Sequence, residues 1–147
     1  MSLISPADQD KLREAFNEMK SNVRLLFFTQ TLGCETCLQT RQILDELPLL
    51  SDKIAIDEVN FVLEKEKAQR YGIDRVPAIA LAYDDEAGET QDTRIRFLGA
   101  PAGYEFISLV QAVLLVGGRS TSLTPENLAR VASVDKPMTM KVFTTPT

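Results

Sequence analysis

The two cysteines of this chain, Cys34 and Cys37, stand two residues apart in "FTQTLGCETCLQTRQIL", residues 28–44, at the end of the apolar run "VRLLFF", residues 23–28. No other feature constrains the fold so tightly. An apolar run of this kind, closed by polar residues and Gly33, reads as a central strand covered on both faces. From Glu35 to about Leu47 the pattern turns helical: Cys37, Thr40, Leu44 and Leu47 share one face, and Pro48 limits the end. The pair therefore lies where a buried strand hands over to a helix. Three readings fit it: a redox dithiol, half of a metal site, or two thiols that are neighbours by accident.

Composition narrows the choice. A chain of 147 residues suits one domain, and 44% hydrophobic residues suffice for a core. The net charge is −5 with no face-sized cluster of Lys and Arg, which argues against a nucleic-acid partner. No apolar run reaches the ~18 residues of a membrane span, and "FISLVQAVLLVGG" suits a buried helix better. The start, "MSLISPADQDKLREAF", lacks the basic and apolar regions of a signal peptide. The expectation is a cytoplasmic protein with neither nucleic-acid nor membrane partner. In a reducing cytosol a lone, close Cys pair is reactive or metal-binding rather than a structural staple. Zinc usually takes four Cys or His ligands; this chain has two Cys and no His, so the metal reading ranks last. No metal and no cofactor is expected, and without His there is no Ser/His/Asp set.

Along the chain, Ser5-Pro6-Ala7-Asp8 opens a helix, with Leu12, Phe16 and Met19 as its buried face. After the cysteine helix, "KIAIDEVNF" (53–61) alternates as a strand, and "LEKEKAQRY" is a short helix closed by Gly72. "PAIALAY" (77–83), the turn "DDEAGE" and the strand "TRIRFLG" form a hairpin, with Arg94 and Arg96 on one exposed face. "YEFISLVQAVLLV" closes the unit as a helix. The order predicts a right-handed parallel strand–helix–strand unit and a mixed sheet. After Gly117-Gly118 come a loop, a short helix from Thr124-Pro125-Glu126, and "MKVFTTPT" (140–147), which echoes "LLFFTQTL" (25–32).

The spacing has a chemical use. At a helix start, the macrodipole and unpaired N–H groups favour thiolate over thiol, so the pKa of Cys34 falls below the free value of about 8.5. Cys34 then attacks a disulfide, and Cys37, one turn further in and more shielded, resolves the mixed disulfide. Glu35, between them, opposes the thiolate and makes the pair a weaker oxidant. Val76-Pro77 opens a strand. A cis Pro77 facing Cys34 would leave the Val76 backbone free to pair with an extended substrate; the bland alternative is an ordinary trans proline, since only about 5–6% of X-Pro bonds are cis.

Taken together, "LLFFTQTLGCETC", "YGIDRVPAIAL" and "GAPAGYEF" resemble the thioredoxin fold over roughly residues 10–118. More narrowly, they resemble the first half of the two-unit protein disulfide oxidoreductases, or glutaredoxin-like proteins. The resemblance implies an α/β thioredoxin-like fold with a mixed central sheet and an extra N-terminal helix. It implies an attacking Cys34, a resolving Cys37 and a cis Pro77, with Val76 and Pro77 binding substrate. Its partners would be protein disulfides or dithiols and a reductase or thiol donor. Residues 1–118 would form the domain and 119–138 a linker with a short helix. Residues 139–147 would be the truncated first strand of a second unit, unless the echo is only that of one short strand for another.

Two departures accompany the likeness. Thioredoxins carry a buried Asp six residues before the first cysteine, where this chain has Phe28, and there is no Trp. Asp57 and Glu58 are carboxylates on the neighbouring strand, where simple solvation accounts for either. The function expected is thiol–disulfide exchange with protein disulfides; the alternative is a redox-weak binding or dimerisation module.

Overall fold

The computed structural model describes residues 2–145. The first helix, α1 (Pro6–Asn17), starts at Ser5, whose hydroxyl accepts from the Asp8 N–H, with Pro6 in the first turn. It is followed by β1 (Val23–Thr29), α2 (Cys37–Asp45), β2 (Ile54–Asn60), α3 (Lys65–Arg70), β3 (Ala78–Asp84), β4 (Thr90–Leu98), α4 (Glu105–Val116) and α5 (Pro125–Ala132). The sheet has the order β2-β1-β3-β4. β1 runs parallel to β2 and antiparallel to β3, and β4 is antiparallel to β3. The sheet is mixed, as the run of elements predicts.

Strand β1 is central, and its burial shows why its sequence is continuously apolar. Val23, Leu25 and Phe27 enter one cluster with Phe16 and Met19 from the α1 side, Leu44 from α2, and Leu109, Val113 and Leu114 from α4. Leu26 and Phe28 face the opposite side and pack with Ala68 of α3 and Ala78, Ala80 and Ala82 of β3. Strand alternation thus feeds two cores, one under three helices and one under α3. α4 buries Leu109, Val110, Val113 and Leu114 and leaves Ile107 and Leu115 in water. Gly117, just past α4, is set by close approach rather than by φ: a Cβ there would stand 2.7 Å from the Met19 side chain.

The β3–β4 hairpin departs from simple alternation. A register shift lies between Ala80 and Ala82, opposite which Arg94 adopts φ 65°. The two arginines therefore do not share an exposed face. Arg94 is exposed, while Arg96 turns in to pair with Asp92 at 2.7 Å and lies 5.5 Å over the Tyr71 ring. After Gly117 the chain buries no residue among those described, and residues 139–145 form no strand. Every one of them is exposed and without a neighbouring strand to pair with; residues 146–147, the end of the echo of β1, lie outside the described residues.

At the other end of the sheet, Arg24 of β1 ties three strands, reaching Asp84 at 2.8 Å and Asp57 at 3.3 Å. The Arg24 hydrogen bond holds the Asp84 carboxyl below its ordinary value. A carboxyl depressed in the folded state contributes stability that is present above its unfolded value of about 3.9 and is lost as pH falls through the folded value. Asp84→Asn is therefore expected to cost about 1–2 kcal/mol at pH 7. Its deficit should shrink as pH falls below the unfolded carboxyl value, where wild type progressively loses the same contribution. Urea unfolding of both proteins at pH 7 and at pH 3 checks this, and a deficit equal at both pH values contradicts it.

Candidate functional site: a disulfide at the end of the central strand

β1 delivers the chain into residues 30–36, an irregular segment. The Gln30 side-chain amide donates to the Leu32 carbonyl at 2.8 Å, and Gly33 supplies the left-handed turn at φ 72°. Cys34 and Cys37 are bonded to one another, with Cα atoms 5.5 Å apart. α2 begins at Cys37, two residues later than the hydrophobic pattern predicts, because Glu35 and Thr36 form a turn and the Thr36 carbonyl accepts the first helical bond, from Thr40. It ends at Asp45, ahead of Pro48, whose ring disfavours helical backbone at the residue before it. Buried Thr40 returns its hydroxyl to the same Thr36 carbonyl at 2.8 Å, which pins the first turn.

The two sulfurs are unequally placed. Cys37 is 5% exposed, whereas Cys34 precedes the helix and is partly open. The helix N-terminus thus begins at the inner cysteine, and Cys34 sits just outside it. An outer thiol meets a substrate first; an inner one reaches only its neighbour.

The register fixes the rest of this end. Phe28 pairs with Ala78 in antiparallel register, so Pro77 lies across from Thr29, where β1 leaves the sheet. The Val76–Pro77 bond is cis. Pro77 is buried and its carbonyl accepts from the Gly99 N–H at 2.9 Å, joining the β4–α4 loop to this end. Val76 is partly buried against the Leu26 and Phe28 side of the sheet.

A recess of about 350 Å³ reaches the disulfide, lined by Thr29, Gln30, Thr31, Cys34, Cys37, Leu38, Arg41, Glu58 and Asn60. Arg41 of α2 and Glu58 of β2 form an ion pair in it. The hydrogen bond to Glu58 raises the Arg41 guanidinium above its ordinary value. Sequence reasoning gives Arg41 no role and leaves Glu58 as a solvated carboxylate. The signal available for Arg41 is spacing: it lies four residues after Cys37, on the same helical face. Among the described residues no group of three or more His, Cys, Asp or Glu side chains is placed to hold a metal ion. None of the described helices is long and apolar enough to cross a membrane.

A Cys-x-x-Cys pair bonded at the start of a helix, beside the end of a central strand in a β2-β1-β3-β4 mixed sheet, defines a thiol–disulfide oxidoreductase of thioredoxin-like fold. Comparison with known proteins agrees. The chain is 30% identical over 78 residues to a probable thioredoxin of Methanothermobacter thermautotrophicus, covering 52% of this chain and 80% of that one. The chain belongs to the thioredoxin family. It is also 37% identical over 93 residues to the F component of the alkyl hydroperoxide reductase of Xanthomonas campestris pv. phaseoli, covering 63% of this chain but only 15% of that one. Among solved structures it resembles the NTD_N/C domain of the Enterococcus faecalis alkyl hydroperoxide reductase AhpF. That match has a TM-score of 0.78 at 28% identity over 90% of this chain and 62% of the other. The fold is shared with a protein disulfide oxidoreductase of Aeropyrum pernix K1, at TM-score 0.72 and 22% identity over 88% of this chain and 54% of the other. The chain thus spans less than two thirds of the length of the Xanthomonas reductase component and of both of these structures. No family model matches it.

Proposed function

We propose that the Cys34–Cys37 couple exchanges disulfides with other proteins, with Cys34 as the attacking and Cys37 as the resolving sulfur. The observation that carries this is the unequal exposure of two bonded sulfurs at the start of α2. In the reducing direction, the Cys34 thiolate attacks one sulfur of a substrate disulfide. The substrate's S–S bond breaks, a mixed disulfide forms, and the other substrate sulfur leaves as thiolate. Cys37 gives up its proton and attacks the Cys34 sulfur. This closes the Cys34–Cys37 bond and releases the second substrate sulfur. Two electrons pass from protein to substrate, and two protons, one of them from Cys37, end on the substrate's thiols. A reductase or low-molecular-weight thiol returns the two electrons, and the same steps run backwards oxidise a dithiol.

Extended substrate would lie along Val76, with Pro77 as the floor beside Cys34; the pairing of Phe28 with Ala78 supports that placement. Residues 1–118 would be the exchanging unit and 119–138 a linker, in keeping with the absence of burial beyond Gly117 among the described residues. The cytoplasm, whose thiol pool keeps such couples turning over, is the matching location.

Titration of the free thiols against graded ratios of reduced to oxidised glutathione tests the reading. The expected result is one reversible two-electron transition involving both cysteines. A thiol count that stays constant across all ratios contradicts it and leaves a binding module.

A further inference from the structure

We propose that Arg41, seated on Glu58, is a positioning residue that sets how readily Cys37 loses its proton and, by acting on both sulfurs of the couple, how strongly the couple holds its electrons. This rests on the reading of Cys34–Cys37 as the exchanging pair, and it adds the group that controls the resolving step. Three observations carry it. First, helical side chains lean towards the N-terminus, so the long Arg41 side chain, four residues after Cys37, lies back over the turn that Cys37 begins. Second, Arg41 and Glu58 are the charged side chains lining the recess that both cysteines enter, and they are paired with each other. Third, Cys37 is 5% exposed, so its sulfur has little water of its own and feels the pair at the mouth of the recess, whose 41% and 48% exposed side chains act on it partly screened.

The other groups around Cys37 are neutral or distant from the recess. Thr29 from β1, Gln30 and Thr31 from the following loop, Leu38 from α2 and Asn60 from β2 carry no charge. Glu35 lies between the cysteines but does not line the recess. Asp45, one turn after Arg41, acts on the guanidinium from the side away from Cys37. The pair therefore works as a balance. The guanidinium favours the Cys37 thiolate; the carboxylate, by sitting on the guanidinium, limits that effect. The reduced couple carries its charge on Cys34, which lines the same recess, so a guanidinium that also favours that thiolate stabilises the reduced couple and makes the protein a stronger oxidant.

The test compares wild type with Arg41→Gln, Arg41→Lys, Glu58→Gln and the Arg41→Gln/Glu58→Gln double variant. Each is titrated against glutathione, and the Cys37 thiolate is followed by its absorbance against pH in a Cys34→Ser background. Arg41→Gln is expected to shift the equilibrium about threefold to tenfold towards the disulfide, up to ~30 mV more reducing, and to raise the Cys37 pKa. Glu58→Gln is expected to shift both in the opposite direction by a similar factor. The double variant should fall between the singles, and Arg41→Lys should keep most of the wild-type value. An ion pair that is only structural moves Tm alike in both single variants and leaves the equilibrium in place; that result, or shifts of the same sign, overturns the proposal. If wild type shows no reversible couple, the exchange reading itself fails, which is a distinct outcome.

Discussion

Cys34→Ser is expected to abolish reduction of a protein disulfide such as insulin, a loss on the order of 10³-fold or more, as when an enzyme loses its nucleophile. Cys37→Ser is expected to fail differently: it still attacks, but the mixed disulfide has no inner sulfur to break it. A peptide disulfide should accumulate as a stable adduct on Cys37→Ser and not on Cys34→Ser, and mass spectrometry of the quenched mixtures distinguishes the two. The asymmetry follows from exposure, since Cys34 lies outside the helix and Cys37 is 5% exposed within its first turn. Under reducing conditions Cys34→Ser should stay within about 0.5 kcal/mol of wild type, because residue 34 is partly open and lies in an irregular segment. Adducts forming equally on both variants would mean that the attacking and resolving roles are not divided as the structure divides their exposure.

Much of this arrangement is legible in the sequence because it is written in local patterns. Continuous apolarity marks β1 as central, and the structure gives it a strand on either side. The caps Ser5 and Thr124 each precede a proline and a carboxylate within the first turn, and each starts a helix where that grammar says. Where several devices compete at one place, the pattern fails. Hydrophobic spacing starts α2 at Glu35, yet a turn at Glu35 and Thr36 takes those residues, and Cys34 ends up three positions before the helix rather than directly ahead of it. Alternation in "TRIRF" puts Arg94 and Arg96 together, but a bulge inserts itself and Arg96 turns towards Asp92 and Tyr71.

The charge pair at the site is hidden from sequence for a different reason. Arg41 and Glu58 lie 17 residues apart on a helix and a strand, and each alone looks like ordinary surface charge. Only the parallel register of β1 and β2, with Phe27 opposite Glu58 and Phe28 opposite Val59, brings Glu58 under α2. Long-range pairing of this kind leaves no periodicity for a single sequence to display. The same limit applies to the N-terminal segment, where Ser2, Leu3 and Ile4 all donate to the Glu46 carboxylate more than forty residues away.

Phe27→Ala should produce the largest loss of stability of any single truncation at this end of the molecule. Phe27 is 1% exposed and lies between Glu58 of β2 and Ile79 of β3 in register, within the cluster that also receives Leu44 of α2 and Leu109 of α4. Removing its ring forfeits the transfer free energy of a buried aromatic and leaves a cavity that two flanking strands keep from collapsing, about 3–5 kcal/mol in all. A domain of this size is stable by about 5–15 kcal/mol, so the variant should be near the edge of folding. Urea unfolding gives the number. Ile107→Ala, on the outward face of α4 and 60% exposed, should cost less than about 0.5 kcal/mol. The functional consequence distinguishes core loss from simple weakening. Phe27 lies in the cluster that seats α2, so the variant should also lose the fixed spacing between Cys34 and Cys37 and re-form their bond more slowly in glutathione. Phe27→Leu, which fills most of the volume, should recover both properties together. A Phe27→Ala protein with wild-type stability would place α2, and the disulfide it carries, on some support other than the core beneath β1.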